Sequence, residues 1–110
     1  MSELESQIAR FLDELKRNNV SPHTLAAYGS DLAQFLEYFS PAGATPPEPS
    51  QFEVWNIREW LGSLYSHKLS AVSMRRKLAA LRAFFRFLAR EGTIGMNPAR
   101  LKRDDQPFGI

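Results

Sequence analysis

The sequence contains no cysteine and only two histidines, His23 and His67. Without thiols it can form neither a disulfide nor a thiolate metal site, and we expect a cytoplasmic protein. Two histidines are too few for a metal centre unless carboxylates join them, so we expect no metal and no cofactor. The chain also lacks an apolar run near the ~20 residues of a membrane span and lacks a signal-peptide segment, so we expect no membrane partner.

Basic residues are scarce in the first half of the chain and acidic residues are scarce in the second. The 110 residues are 44% hydrophobic and 24% charged, which is typical of one globular domain, and the net charge is only +2. Residues 1–60 have nine acidic and four basic side chains, whereas residues 61–110 have three acidic and ten basic ones. Such asymmetry favours a partner with a negative surface, nucleic acid above all, over the alternative of unevenly charged solvated helices.

Apolar residues recur at helical spacing in four segments, and no strand pattern competes with them. Ser21 and Ser70 are predicted N-caps and Gly92 is a candidate C-cap. The proline-rich segment SPAGATPPEPS must be a loop, but it is too short to link independent domains. The sequence therefore predicts an all-α fold, a compact four-helix bundle. The predicted helices cover about Glu3 to Arg17, Pro22 to Ser40, Phe52 to His67 and Ala71 to Arg90.

The fourth helix combines a core stripe with charge of a single sign. Between residues 73 and 90 it contains six basic side chains and no acidic one. We predict that Ser73, Arg76 and Ala80 lie opposite the core with Lys77 at their border, a surface that suits a DNA major groove. The predicted core residues are Met74, Leu78, Leu81, Phe84, Phe85 and Leu88. The remaining arginines, Arg75, Arg82 and Arg86, form a separate flank that could equally lie along the bundle.

The start of the second helix offers a matching surface. His23, Thr24, Ala27 and Ser30 avoid the apolar stripe and are small or able to form hydrogen bonds. Taken singly, a threonine in a first turn is usually a local cap, and an exposed histidine is usually inert. Two helix N-termini side by side would form a DNA-reading platform, an arrangement that the sequence does not decide.

Three stretches resemble the core-binding domain of tyrosine recombinases, the phage integrase family. SPHTLAAYGSDLAQFLEYF is similar to the S-x-x-T-L-x-x-Y-x-x-D-L pattern that opens this domain. LSAVSMRRKLAALRAFFRFL followed by NPA resembles its last long helix and exit, with VWNIREWLGSLYSHKLS at the expected spacing between them. The resemblance covers roughly Leu4 to Arg103 and is greatest to the Xer branch, which resolves chromosome dimers.

The resemblance implies that helices 2 and 4 approach the major groove of a recombination half-site. Thr24, Ser73 and Arg76 match motif positions, and their neighbours on the same faces complete the set. The predicted DNA-binding residues are His23, Thr24, Ser30, Ser73, Arg76 and Lys77. Family positions that pack the bundle match Tyr28, Leu32, Leu81 and Phe85. The expected partners are duplex DNA, the C-terminal catalytic domain of the same parent chain and other recombinase protomers.

Family chemistry implies no catalytic residue in this stretch. Tyrosine recombinases attack a phosphodiester with a tyrosine assisted by arginines, a lysine and histidines of the C-terminal domain. No R-x-x-R or H-x-x-R pattern leading to a tyrosine follows Pro98. The expected organisation is a DNA-binding domain over residues 1–99 and the start of an interdomain linker over residues 100–110, a fragment that is not itself an enzyme.

Two other interpretations remain open. The arginine face could bind an acidic protein, which would make the chain a helical protein-interaction module. The chain could also be a stand-alone DNA-binding regulator, although no short turn joins two helices in helix-turn-helix fashion.

Overall fold

A computed structural model describes residues 2–100, and in this range the chain forms four α-helices and no strand. The predicted all-α class is confirmed, with helix bounds within two residues of those expected. The helices are α1 Glu3–Arg17, α2 Pro22–Phe39, α3 Val54–Ser66 and α4 Ala71–Arg90, with a short 3-10 turn at Pro49–Gln51. None of these helices is long and apolar enough to cross a lipid bilayer. The chain divides into two compact units, one up to Pro49 and one from Ser50.

The first unit pairs α1 with α2. Ser2 caps α1 by accepting a hydrogen bond from the Glu5 amide at 3.1 Å, while the Glu5 carboxylate accepts from the Ser2 amide. Leu4, Ile8 and Phe11 of α1 are buried. Phe11 meets Tyr28 of α2 edge to face, with ring centroids 5.8 Å apart. Tyr28, predicted to pack the helices, is therefore a structural residue of this unit.

The second unit is built on α4, which is buried over more than one stripe. The predicted stripe, Met74, Leu78, Leu81, Phe85 and Leu88, is buried throughout. A second stripe beside it is buried as well and consists of Lys77, Ala80, Phe84 and Phe87. Phe52, predicted to open the third helix, instead precedes it and packs against Phe85 with centroids 5.7 Å apart. Two buried stripes leave α4 a single exposed face.

The second stripe overturns the expected surface of α4. Lys77 is 5% exposed and Ala80 is 3% exposed, so the expectation that Ala80 lies opposite the core with Lys77 at the border of the same surface is wrong. A buried ammonium group requires partners, and Lys77 is not without one. No buried side-chain nitrogen or oxygen of residues 2–100 lacks a hydrogen bond. Lys77 is therefore an interior residue of α4.

Three of the helices end at a residue in the left-handed conformation. These residues are Asn19, Lys68 and Gly92, with φ of 61°, 62° and 78°. In each case the next amide donates to a carbonyl in the last turn of the helix, at 2.9 to 3.3 Å. Gly92 confirms the stop signal predicted for α4, directly after the C-cap Glu91. At Lys68 the same turn is made by a residue whose β-carbon disfavours it.

The chain leaves α4 through a segment that is hydrogen-bonded back to the helix. The Asn97 side-chain amide donates to the Arg82 carbonyl at 3.2 Å, and its oxygen accepts from the Ala99 amide at 2.9 Å. The Arg82 guanidinium donates in turn to the Ala99 carbonyl at 3.2 Å. Pro98 and Ala99 are buried. Residues 101–110, predicted to begin an interdomain linker, lie outside the described residues.

We expect Leu81→Ala to lower the free energy of unfolding by ~2–5 kcal/mol, because it empties a fully buried site. Val72→Ala is the matched control on the same helix, since Val72 is 69% exposed and should change stability by no more than ~0.5 kcal/mol. Chemical denaturation monitored by circular dichroism measures both. Equal losses in the two variants would contradict the burial of α4 described above.

Lys77→Ala should lower the free energy of unfolding by ~1–3 kcal/mol, because it removes a side chain that is 5% exposed together with its partner interaction. Arg75→Ala, two residues away on the exposed face, should change it by ~0.5 kcal/mol or less. Thermal and chemical unfolding of the two variants provide the comparison. If the Lys77→Ala protein were as stable as the Arg75→Ala protein, the burial of Lys77 would be contradicted.

Lys68→Gly should raise the free energy of unfolding by roughly 0.5–1 kcal/mol, because glycine adopts the left-handed conformation without the steric cost of a β-carbon. Asn19→Gly is the matched control, since asparagine tolerates this conformation better than lysine. We expect Asn19→Gly to be neutral or destabilising, with thermal unfolding as the measurement. The same change in both variants would argue against strain at Lys68.

Candidate nucleic-acid interface

The exposed face of α4 consists of arginines and small apolar side chains. Apart from the adjacent Arg75 and Arg76, its members follow one another at intervals of three or four residues, and all are exposed or half-buried. No acidic residue occurs anywhere in α4. We call this face the arginine stripe, and it comprises Val72, Arg75, Arg76, Ala79, Ala83, Arg86 and Arg90.

The arginine stripe contains one predicted contact residue and one that the sequence analysis missed. Arg76 is exposed, as expected for a DNA-binding residue. Arg75, which was predicted on a separate flank, shares the stripe with it. The spacing of Val72, Arg75 and Ala79 was a readable signal, since these residues are three and four apart. The sequence analysis instead centred the surface on Ala80, which belongs to the core.

Arg82 illustrates the other use of a basic side chain on this helix. Its guanidinium is held by the Ala99 carbonyl, and its own carbonyl accepts from Asn97. This geometry matches the alternative that arginines of the flank lie along the protein, whereas Arg86 is exposed. The flank predicted as a unit is therefore divided between two roles.

The first turns of α2 and α4 are capped by the same hydrogen-bond pattern. Ser21 accepts from the Thr24 amide at 3.2 Å and donates to the Thr24 hydroxyl at 2.9 Å. Ser70 accepts from the Ser73 amide and donates to the Ser73 hydroxyl, both at 3.1 Å. Because the cap already supplies the proton of each pair, the hydroxyl hydrogens of Thr24 and Ser73 are directed to another acceptor. Both side chains can act as donors to a ligand oxygen.

The candidate residues of α2 lie on an uncharged surface of the first unit. His23, Thr24 and Ser30 are exposed, and Ala27 is half-buried. The first turn of α2 contains neither an acidic nor, apart from His23, a titratable residue. This surface and the arginine stripe belong to different compact units. Each offers hydrogen-bond donors, and only the arginine stripe adds fixed positive charge.

Within residues 2–100, the buried acidic side chain lies in the first unit. Asp31, the aspartate of the Y-x-x-D-L pattern, is 2% exposed and is not without a partner. The motif aspartate is therefore structural. Among residues 2–100 no group of three histidine, cysteine or carboxylate side chains could hold a metal ion.

Comparison with known proteins identifies a family for this chain. Residues 8–92 match the family model described as phage integrase, N-terminal SAM-like domain. A protein named tyrosine recombinase XerC from Syntrophus aciditrophicus is 39% identical over an alignment of 104 residues that covers 89% of this chain and 33% of the relative. A protein of the same name from Pelobacter propionicus is 37% identical over 116 residues, covering all of this chain and 38% of the relative.

A third relative, the tyrosine recombinase XerC of Oceanobacillus iheyensis, is 36% identical across 89% of this chain and 32% of its own length. The chain thus spans about a third of the length of the curated relatives it matches. No solved structure matches it significantly. The resemblance noted in the sequence is confirmed: with its family match over residues 8–92, the chain belongs to the phage integrase family, as an N-terminal SAM-like domain.

Proposed function

We propose that this domain binds duplex DNA at a recombination half-site through the arginine stripe of α4 and the N-terminal part of α2. The observation that carries the proposal is the arginine stripe, where Arg75, Arg76 and Arg86 project from a helix that contains no acidic residue. A helix of this size fits a major groove, and its small side chains permit close approach to the bases. Arginine forks to phosphate or to the guanine edge.

The capped first turns of α2 and α4 each offer neutral donors. Thr24 and Ser73 present hydroxyl groups at the N-termini of their helices, where the helix dipole favours phosphate oxygens. His23 and Ser30 are exposed neighbours of Thr24 on α2 and are proposed as further contacts. Lys77 was predicted as a contact, but its burial supports a structural role, and Arg75 takes its place in the proposal.

The activity proposed for the complete protein follows from its relatives. Proteins named tyrosine recombinase XerC share this domain, and we infer that the parent protein cleaves and rejoins DNA in the cytoplasm. In that protein this domain would position DNA, without cofactor or metal, and a C-terminal domain would supply the nucleophilic tyrosine. Further recombinase protomers would complete the assembly.

We expect the domain to bind short duplex DNA weakly, with a dissociation constant in the ~10⁻⁶–10⁻⁴ M range typical of non-specific contacts. Arg75→Ala and Arg76→Ala should each weaken binding and lower the slope of log affinity against log salt by about 1, because each loses one phosphate contact. Fluorescence anisotropy across a salt series measures both quantities. Arg58→Ala, an exposed arginine of α3, is the matched control and should leave the slope unchanged.

Poly-glutamate at equal charge concentration separates this proposal from an acidic protein partner. DNA binding that exceeds poly-glutamate binding at every salt concentration supports the proposal. Absence of DNA binding at low salt, or full affinity in the Arg75→Ala/Arg76→Ala double variant, would require its withdrawal.

A further inference from the structure

Val72 is the large hydrophobic side chain of the arginine stripe. It is the second residue of α4 and is 69% exposed. A single exposed valine is common on protein surfaces and by itself requires no explanation. The surroundings of this valine are less usual, since Arg75 and Arg76 follow at three and four positions and therefore lie one helical turn away on the same face.

The arginine stripe contains no hydrogen-bond acceptor among its side chains. Arginine offers only N–H donors, and valine and alanine offer only methyl groups. The half-buried Ser73 at its margin already accepts a hydrogen bond from Ser70, so it too presents a hydrogen. A surface made only of hydrogen-bond donors and methyl groups favours ligand groups that are acceptors or apolar.

The base edges of the major groove differ in how well they suit such a surface. Guanine presents two acceptors, which arginine reads, whereas the amino groups of adenine and cytosine require acceptors that the stripe lacks. Thymine presents the C5-methyl group, the apolar feature of this groove. The exposed valine suits the C5-methyl group of a thymine, and the two arginines beside it suit a neighbouring guanine or phosphate.

We propose that Val72 is a specificity-determining residue that contacts the C5-methyl group of thymine in the bound DNA. The inference rests on the proposed DNA-binding function and adds to it a base preference. Burial of one methyl group against Val72 accounts for a preference of about fourfold. The first turn of α4 then favours thymine over uracil at the same position, although the two bases pair identically.

The test compares two duplexes that differ only in this methyl group, alternating dA–dT and alternating dA–dU, in anisotropy titrations at low salt. Wild-type protein should bind the dT duplex about fourfold more tightly than the dU duplex. Val72→Ala should bring the ratio close to 1, because the affinity for the dT duplex falls toward the affinity for the dU duplex. Val54→Ala, at the start of α3, is the matched control and should keep the wild-type ratio.

The outcomes separate this inference from the proposed function. A wild-type ratio of 1 overturns the assignment to Val72, because the protein then does not contact the methyl group. A dT preference that persists in Val72→Ala overturns it as well, because the preference then has another source, such as a difference in shape between the duplexes. In that case the loss of affinity in Arg75→Ala and Arg76→Ala on both duplexes would still support DNA binding by α4. Failure of wild-type protein to bind either duplex would overturn both proposals.

Discussion

Burial of α4 along two adjacent stripes decides which charges of this domain reach the surface. The first stripe is hydrophobic throughout, and the second contains Lys77 and Ala80 beside two phenylalanines. Since a helix buried on both stripes retains one exposed face, the arginines of α4 other than Arg82 lie on that face. The concentration of Arg75, Arg76 and Arg86 on one surface is thus a consequence of packing. The charge composition by itself does not require these arginines to share one surface.

The basic residues of α4 consequently have three different structural roles. Lys77 is part of the interior, and Arg82 holds the segment that leaves the helix by donating to the Ala99 carbonyl. The Asn97 side chain binds the same segment by donating to the Arg82 carbonyl and accepting from the Ala99 amide. Hydrogen bonds therefore fix the direction in which the chain leaves α4. The exposed arginines, which include Arg75, Arg76 and Arg86, are the ones that a partner can reach. A count of positive charges therefore overstates the surface available to DNA.

Hydrogen-bond polarity complements charge in the proposed interface. The serine caps of α2 and α4 each donate to the hydroxyl three residues later, which turns Thr24 and Ser73 into donors. Together with an arginine stripe that lacks acceptors, these hydroxyls suit a ligand rich in acceptor oxygens, as DNA is. The same lack of acceptors underlies the base preference proposed for Val72, because the arginine stripe cannot accept hydrogen bonds from the amino groups of adenine and cytosine. Local capping and surface chemistry here favour the same class of partner.

Much of the local structure was determined by the sequence itself. Caps at Ser21 and Ser70, the stop at Gly92 and the helical periods act within a few residues, so they predicted the four helices correctly. The resemblance of three sequence stretches to the core-binding domain predicted the family. The surface of α4 was decided by tertiary structure. Alanine at position 80 is compatible with either environment, and a lysine stem can lie inside or outside. Whether a flank of α4 is covered depends on residues distant in sequence, and helical periodicity does not report them.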